Sequence, residues 1–298
     1  MLINKLGEFG LIERFRRAIR TDTSVAVPSG DDCAVLRFNR DSYQLFTCDM
    51  LVEGVDFTLR DKPELIGRKA LAVCLSDIAA CAGIPRYALV SLGIPPGFSV
   101  ERIERIARGL FALAGKFKVN IVGGDISRAR HLVIDVSVLG VVEKKNLCLR
   151  SGAKEGDIIF VTGSLGGSIR GKHLKFTPRL KEARALVKKV KVSSMIDISD
   201  GLTQDLGHIL EQSKAGAVIY EDLIPLEPGA RNLKEALFMG EDFELLFTLP
   251  PAEAKKILIL KPRGFKPIGE ITAAKQGLSL IDRRGRQRVI KPRGFRHF

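Results

Sequence analysis

The sequence has no tryptophan and only three tyrosines among its 298 residues. Proteins that hold single-stranded nucleic acid combine basic grooves with aromatic side chains on which the bases stack. Much of the formal net charge of +14 falls in two stretches, 170–191 and 261–296, which have few aromatic residues between their basic ones. The composition therefore favours a basic surface that attracts anionic substrates over a nucleic-acid-binding module.

Other absences narrow the function further. No apolar run approaches the roughly 20 residues of a membrane span, and the five cysteines lack a Cys-x-x-Cys pair, as expected for a cytoplasmic protein. Motifs of zinc peptidases, α/β-hydrolases and dinucleotide-binding folds are missing. Gly166, Gly171 and Lys172 match the spacing of a phosphate-binding loop, but His173 follows where Ser or Thr should hold the metal.

Carboxylates are the scarcer charge, 34 against 48 basic residues, yet they gather beside glycine, serine and apolar runs. Asp31 and Asp32 follow Gly30, and Asp197 and Asp200 flank Ser199. Paired carboxylates in buried settings repel each other unless a positive group lies between them. A divalent cation held by oxygens is the simplest such group, which suggests Mg²⁺ and a phosphorylated ligand.

Further acidic residues occupy similar settings. Asp49 ends an apolar strand-like run, and Asp77 lies in a segment so apolar that its helix should be buried. Asp125 follows Gly123 and Gly124, which would let the backbone approach a ligand closely. A buried, ionised Asp77 requires a partner.

Each of these residues also has a purely structural interpretation. Asp200 could cap the helix predicted at 202–212, Asp31 and Asp32 could be turn residues, and Asp125 could close a turn. Residues 241 and 242 could belong to a solvated loop. The number of acid-bearing turns is nevertheless easier to explain by one shared site than by separate structural roles.

The order of predicted elements indicates a mixed α/β protein. An amphipathic helix at 1–20 should dock on the body of the protein, and Ser99 should cap the helix at 100–117. A boundary near 144–152 gives two domains, 1–143 and 144–298. The first domain is predicted to contain strands at 33–38, 44–49, 88–94 and 132–142 and a buried helix at 63–82.

Several motifs, collinear from residue 6 to the last residue, resemble those of thiamine-monophosphate kinases, a family of the aminoimidazole ribonucleotide synthetase-like superfamily. They are Leu6-Gly7-Glu8-Phe9-Gly10-Leu11-Ile12, Gly30-Asp31-Asp32, Asp49 with Glu53-Gly54-Val55, Leu75-Ser76-Asp77, Gly123-Gly124-Asp125, Ile196-Asp197-Ile198-Ser199-Asp200-Gly201-Leu202, Gly240-Glu241-Asp242 and Gly294-Phe295-Arg296-His297-Phe298.

The resemblance implies a two-domain α/β (α+β) fold. The N-terminal domain would contain a mixed sheet that forms a homodimer interface and would bind ATP and Mg²⁺, and the C-terminal α/β domain would complete the cleft. The implied reaction is transfer of the ATP γ-phosphoryl group to thiamine monophosphate. Charge neutralisation and positioning carry such a transfer, so the resemblance implies no catalytic nucleophile or base.

The resemblance also implies roles for individual residues. Metal-holding positions are Asp32, Thr47, Cys48, Asp49, Asp77, Asp125, Asp197 and Asp200, with Thr47 and Cys48 contributing chiefly backbone oxygens. Nucleotide-contacting positions are Gly124, Asp125, Arg150 and Ser199. Acceptor positions are Asp56, Glu241 and Phe295, the last of which could stack on an aromatic ring.

The sequence departs from the family pattern in three places. Asp56 replaces a usual His, Cys74 replaces a usual Asn, and the segment between 167 and 194 is short. A carboxylate beside an acceptor phosphate is repulsive unless a metal or Arg60 intervenes. An ATP-dependent phosphotransferase or synthetase of the same superfamily with another acceptor is therefore the alternative, followed by a non-catalytic nucleic-acid-binding protein.

Overall fold

The computed structural model describes residues 2–260 and 264–298, which form two mixed sheets. The first sheet has six strands in the order β1-β2-β3-β6-β4-β5, and its β4–β5 pair is parallel. The strands are β1 Val25–Val27, β2 Ala34–Arg37, β3 Ser42–Val52, β4 Ile84–Ile94, β5 Asn120–Arg128 and β6 Val133–Glu143. The helices of this half are α1 Ile3–Leu6, α2 Glu8–Ala18, α3 Pro63–Ala80 and α4 Val100–Phe117.

The second sheet has seven strands in the order β13-β12-β9-β11-β7-β10-β8. They are β7 Ile158–Thr162, β8 Ser194–Asp197, β9 Ala215–Tyr220, β10 Leu245–Leu249, β11 Phe265–Ala273, β12 Leu278–Ile281 and β13 Gln287–Val289. The helices are α5 Lys172–Lys175, α6 Leu180–Val187, α7 Leu202–Ser213, α8 Leu233–Phe238 and α9 Pro251–Leu260. The predicted fold class, two mixed α/β units, is confirmed.

Helix α3 is buried, as its uniformly apolar sequence predicts. It packs against the first sheet and against α4, where two glycines allow the backbones to approach. A Cβ on Gly67 would lie 1.8 Å from the carbonyl oxygen of Ile106, and one on Gly109 would lie 1.8 Å from that of Glu64. Ser99 caps α4 by accepting a hydrogen bond from Arg102 N at 3.3 Å, as predicted.

Apolar side chains from both halves form one continuous core. Phe160 of β7 and Phe247 of β10 stack with ring centroids 5.4 Å apart and belong to the same buried cluster as α3. The neighbouring residues Ile159 and Val161 point to the other face of the second sheet, where they pack with α7. Because α3 lies between the two sheets, its polar side chains can reach residues of both halves.

The structure corrects one local prediction. The helix predicted at 1–20 is divided at Gly7, where φ is +73°, into α1 and α2, while residue 1 lies outside the described residues.

Gly123 and Gly124, which precede Asp125, lie within edge strand β5. A Cβ on Gly124 would lie 1.7 Å from Val90 O, so this glycine allows close packing against β4.

The first sheet leaves the face opposite α3 largely open in the single chain. Large side chains on this outer face are about half exposed, namely Phe46, Met50, Tyr87, Leu89 and Val122. In the part of the chain that the structure describes, no helix has the length and apolar character needed to cross a membrane.

Candidate active site

Three carboxylates from distant parts of the chain meet between the two halves. Asp32 precedes β2, Asp77 lies on α3, and Asp197 ends β8, yet they offer ligand oxygens within 4.8 Å of one another. Ser76, next to Asp77, donates a 2.6 Å hydrogen bond to Asp197 Oδ2. We call Asp32, Asp77 and Asp197 the carboxylate cluster.

Strand β3 adds two further predicted residues to the edge of this cluster. The Thr47 hydroxyl donates a hydrogen bond to Asp77 Oδ2. The side chain of Asp49 lies on the same inner face of β3, close enough to Asp77 for its charge to raise the pKa of Asp77. Cys48 alternates to the outer face, where its thiol is exposed, so only its main-chain oxygen can contribute on the inner side.

The cluster carries more negative charge than the protein itself neutralises. Burial raises the pKa of Asp197 to about 8, and the neighbouring Asp32 charge adds to this effect. Burial likewise raises the pKa values of Asp49 and Asp77, and repulsion between these two carboxylates adds to the rise for Asp77. Arg150 contacts Asp32 Oδ1 through Nη2 at 2.6 Å and through Nε at 3.2 Å.

Two carboxylate oxygens indicate whether a cation fits this region. Asp32 Oδ2 and Asp49 Oδ2 are buried and have no hydrogen-bond partner among the described residues. A buried carboxylate oxygen without a partner is costly unless it is protonated or bound to a cation. The donor set is hard oxygen, which suits Mg²⁺.

Asp200 lies in a second acidic group, with Asp205 and His208. Asp200 is not the helix cap, because Asp205 Oδ2 accepts the hydrogen bonds from Asp200 N at 3.1 Å and Gly201 N at 2.9 Å. Burial raises the pKa of Asp200 to about 6 and lowers that of His208 to about 4. Asp205 was not among the residues predicted from sequence, since its only signal was an acid in the first turn of α7.

A cavity of about 740 Å³ is lined by the second acidic group and by Arg150, which contacts Asp32 of the carboxylate cluster. Arg150, Ser199 and Asp200 line it on one side, and Phe9 and Arg16 of α2 line it on the other. Two of the four positions implied to contact nucleotide, Arg150 and Ser199, therefore share one cavity. The C-terminal segment contacts α2, since His297 N donates to Glu8 Oε2 at 3.1 Å.

Gly124 and Asp125 do not join this cavity within a single chain. The strand register places Asp49, Val136, Val90 and Gly124 in one row across the sheet, so Asp125 points to the outer face. Three strand spacings separate Asp49 from Gly124, about 14 Å. The expectation that Asp125 meets Asp32, Asp77 and Asp197 is therefore wrong for the isolated chain.

The three positions implied to contact the acceptor lie on segments that touch the site. Asp56 is close enough to Asp49 for its charge to raise the pKa of Asp49, although burial is the larger cause. Glu241 N donates to Ser199 O at 2.7 Å, and Phe295 N donates to Asp200 O at 3.0 Å. The 240–242 loop and the C-terminal segment are thus held against the residues at 199 and 200.

Lys69 is the main residue that the sequence analysis missed. It is 1% exposed, and its ammonium donates to Asp56 O at 2.8 Å and to Glu241 Oε1. The available signal was its spacing, because Lys69 and Ser76 are seven residues apart on an otherwise apolar helix and therefore share a face. Ser76 reaches Asp197, so that face of α3 contacts the second half of the chain twice.

Comparison with protein families divides the chain into two matches. Residues 30–142 match the AIR synthase related protein N-terminal domain, and residues 154–281 match the corresponding C-terminal domain.

Similar curated proteins match along nearly the whole chain. A thiamine-monophosphate kinase of Buchnera aphidicola is 35% identical, with 98% of each chain covered. The Bacillus subtilis protein of that name is 33% identical over 98% of this chain and all of its own length.

Solved structures agree with these matches. A structure described as AaThiL complexed with AMPPCP and TMP has a TM-score of 0.87 and 30% identity, and the match covers 100% of this chain and 99% of that one. The thiamine-monophosphate kinase of Stenotrophomonas maltophilia has a TM-score of 0.72 at 30% identity, covering 92% and 96%. The hydrogenase maturation protein HypE in complex with ATP shares the fold, with a TM-score of 0.74 at 19% identity over 86% and 87%.

Proposed function

This chain belongs to the thiamine-monophosphate kinase family of the AIR synthase related proteins, and on that premise we propose that it transfers the γ-phosphoryl group of ATP to thiamine monophosphate. The product is thiamine diphosphate. The observation that carries the proposal is the carboxylate cluster, with buried Asp32 and Asp49 oxygens that no described residue satisfies.

Asp32, Asp49, Asp77 and Asp197 would hold Mg²⁺, with Thr47 and Cys48 adding main-chain oxygens. When bound, Mg²⁺ neutralises charge on the transferred phosphoryl group and its neighbours. The protein provides complementary cations and donors of its own. Arg150 lies between the carboxylate cluster and the cavity, where its guanidinium can offer hydrogen bonds to nucleotide phosphate.

No side chain has to attack the phosphorus or remove a proton in this reaction. The attacking atom is a terminal phosphate oxygen of the acceptor, which is ionised near neutral pH. The protein must therefore orient two anions and exclude water between them. Burial of the carboxylate cluster between the two sheets provides a site of low polarity in which charge interactions are strong.

Asp56 is compatible with a phosphate acceptor because its carboxylate is turned toward its own backbone. Asp56 Oδ2 accepts a 2.7 Å hydrogen bond from Val52 N. Arg60, which was expected to offset this charge, is exposed. The buried Lys69 contacts the main chain of Asp56 instead.

The proposal includes a homodimer formed through the outer face of the first sheet. The half-exposed Phe46, Met50, Tyr87 and Leu89 on that face support it, because exposed apolar patches of this kind mark interaction surfaces. Asp125 lies on the same outer face. In a two-fold symmetric dimer, Asp125 of one protomer would complete the metal site of the other.

A coupled assay of ATP turnover with Mg²⁺ tests the proposed function on thiamine monophosphate and a panel of other phosphorylated acceptors. We expect turnover with thiamine monophosphate that chelation of Mg²⁺ abolishes. Turnover with a different acceptor alone would favour the alternative phosphotransferase. We place the enzyme in the cytoplasm, where its five free cysteines would stay reduced.

A further inference from the structure

Lys69 lies almost completely inside the protein, with 1% of its surface exposed. Lysine is rarely buried to this degree unless it is paired, because its ammonium loses hydration. Here the ammonium donates to the carbonyl oxygen of Asp56 at 2.8 Å and to the carboxylate of Glu241. The buried ammonium of Lys69 thus joins the two halves of the chain. Both residues that it contacts are ones implied to bind the acceptor substrate.

The partner of Lys69 is held in a specific backbone conformation. Glu241 has φ of +57°, a left-handed conformation that is uncommon outside glycine. Its N–H donates to Ser199 O at 2.7 Å, which fixes the loop against the cavity wall. The Lys69 ammonium donates to Glu241 Oε1. Because the Glu241 side chain is 26% exposed, its other oxygen, Oε2, is the one available to a ligand.

Lys69 cannot contact the acceptor itself, because its ammonium is enclosed between α3, Asp56 and Glu241. Its effect must pass through the two groups that it holds. A buried ion pair is commonly no more stabilising than apolar side chains of similar volume. Stability alone therefore gives little reason for a lysine at this position.

We propose that Lys69 is a positioning residue for the acceptor, acting by orienting the Glu241 carboxylate and the Asp56 main chain. Glu241 Oε2 is then presented to an acceptor that carries an amine donor or a positive charge at the end remote from its phosphate. This inference rests on the proposed function, since it assigns Glu241 to the thiamine end of the acceptor. Beyond the proposed function, this inference identifies Lys69 as the residue that sets the affinity for the acceptor.

The test compares Lys69→Met, Glu241→Gln and the double variant in steady-state kinetics. We expect Lys69→Met to raise the KM for thiamine monophosphate at least tenfold while the KM for ATP changes less than twofold. Glu241→Gln should have a similar effect, and the double variant should be no worse than either single one, because both remove the same interaction. Lys69→Arg, which keeps the charge, should restore part of the affinity.

Arg184→Met is the matched control, since Arg184 also joins the two halves. Its guanidinium contacts both Glu143 carboxylate oxygens, at 2.7 and 2.8 Å, and Ala82 O at 2.8 Å. We expect this variant to melt at a lower temperature with both KM values unchanged. That result separates loss of an ion pair between the halves from loss of acceptor positioning.

The outcomes distinguish this inference from the proposed function. If the wild type uses thiamine monophosphate but Lys69→Met keeps its KM, or raises both KM values equally, the role of Lys69 is refuted and the kinase assignment stands. If the wild type does not use thiamine monophosphate, both are refuted. If Lys69→Met does not fold, Glu241→Gln decides, and an unchanged KM for thiamine monophosphate in that variant refutes the inference.

Discussion

Ser76 Oγ donates a 2.6 Å hydrogen bond to Asp197 Oδ2, joining α3 to the end of β8 in the other half of the chain. This bond lowers the pKa of Asp197, opposing the larger rise caused by burial. Ser76 therefore favours the ionised form of Asp197, which is the form that would bind the metal.

Ser76→Ala should weaken the apparent affinity for Mg²⁺ by about 10- to 100-fold, the usual effect of removing a partner of a metal ligand. The measurement is activity against Mg²⁺ concentration at saturating ATP and acceptor. Ser194→Ala is the control, because Ser194 is also buried on β8 but hydrogen-bonds with Thr248 at 2.8 Å. Equal Mg²⁺ affinity in both variants would contradict the role of Ser76.

Asp77→Asn should lower kcat by about 10²- to 10³-fold, the range found when one electrostatic group of a site is removed. The substitution preserves volume and leaves an oxygen to accept the Thr47 hydrogen bond, so no cavity forms. It also removes one of several repelling carboxylates. The metal-free variant should melt at the same temperature as the wild type or higher; a large fall in melting temperature would assign Asp77 to structure.

Mg²⁺ should stabilise the protein more strongly as the pH rises. The pKa of Asp197 is about 8 in the folded protein against an ordinary 3.8, so the folded state keeps a proton that the unfolded state loses. This contribution to stability is complete below pH 3.8 and is lost as the pH rises through about 8. The metal-free protein should therefore become less stable between pH 5 and 9.

Mg²⁺ binds the ionised form and releases the proton. Thermal unfolding with chelator and with excess Mg²⁺, at steps from pH 6 to 9, measures the difference between the two conditions. Asp197→Asn, which cannot titrate, should show a flatter pH dependence when metal-free. A stabilisation by Mg²⁺ that is constant over this range would count against the carboxylate cluster as its site.

Co-expression of Asp125→Asn with Asp77→Asn tests whether the site is shared between protomers. If Asp125 acts on the partner's carboxylate cluster, a mixed dimer contains one intact site and one doubly altered site. Random pairing makes half of the dimers mixed, so activity should reach about a quarter of the wild-type value. Each variant alone should be nearly inactive, and the same low activity in the mixture would place Asp125 in the site of its own chain.

Asp56→His should lower the KM for thiamine monophosphate and change the KM for ATP little, because the Asp56 carboxylate keeps its negative charge on the acceptor side even while Val52 N donates to it. Steady-state kinetics with each substrate varied in turn measures both. Asp61→Asn is a control, since Asp61 caps Thr58 N at 2.8 Å in the same exposed segment. If Asp56→His changed both KM values equally, Asp56 would have no specific effect on binding of the acceptor.

Local sequence was enough to predict helices α3 and α4. Uniform apolarity predicted the buried α3, and Ser99 before an amphipathic run predicted the start of α4, because both signals depend only on nearby residues. Sequence also identified Asp32, Asp77 and Asp197 as candidates, since carboxylates in apolar context need a partner. The resemblance to a family then supplied the reaction.

Tertiary structure decided how these residues meet. Asp32 and Asp197 are far apart in the chain, and only the packing of α3 between two sheets brings both to Asp77. Sheet register decided that Asp49 and Asp125 point to opposite faces, because side chains alternate along a strand and one residue reverses the direction. The pairing of Lys69 with Glu241 likewise depends on contacts across 172 positions, which no local pattern encodes.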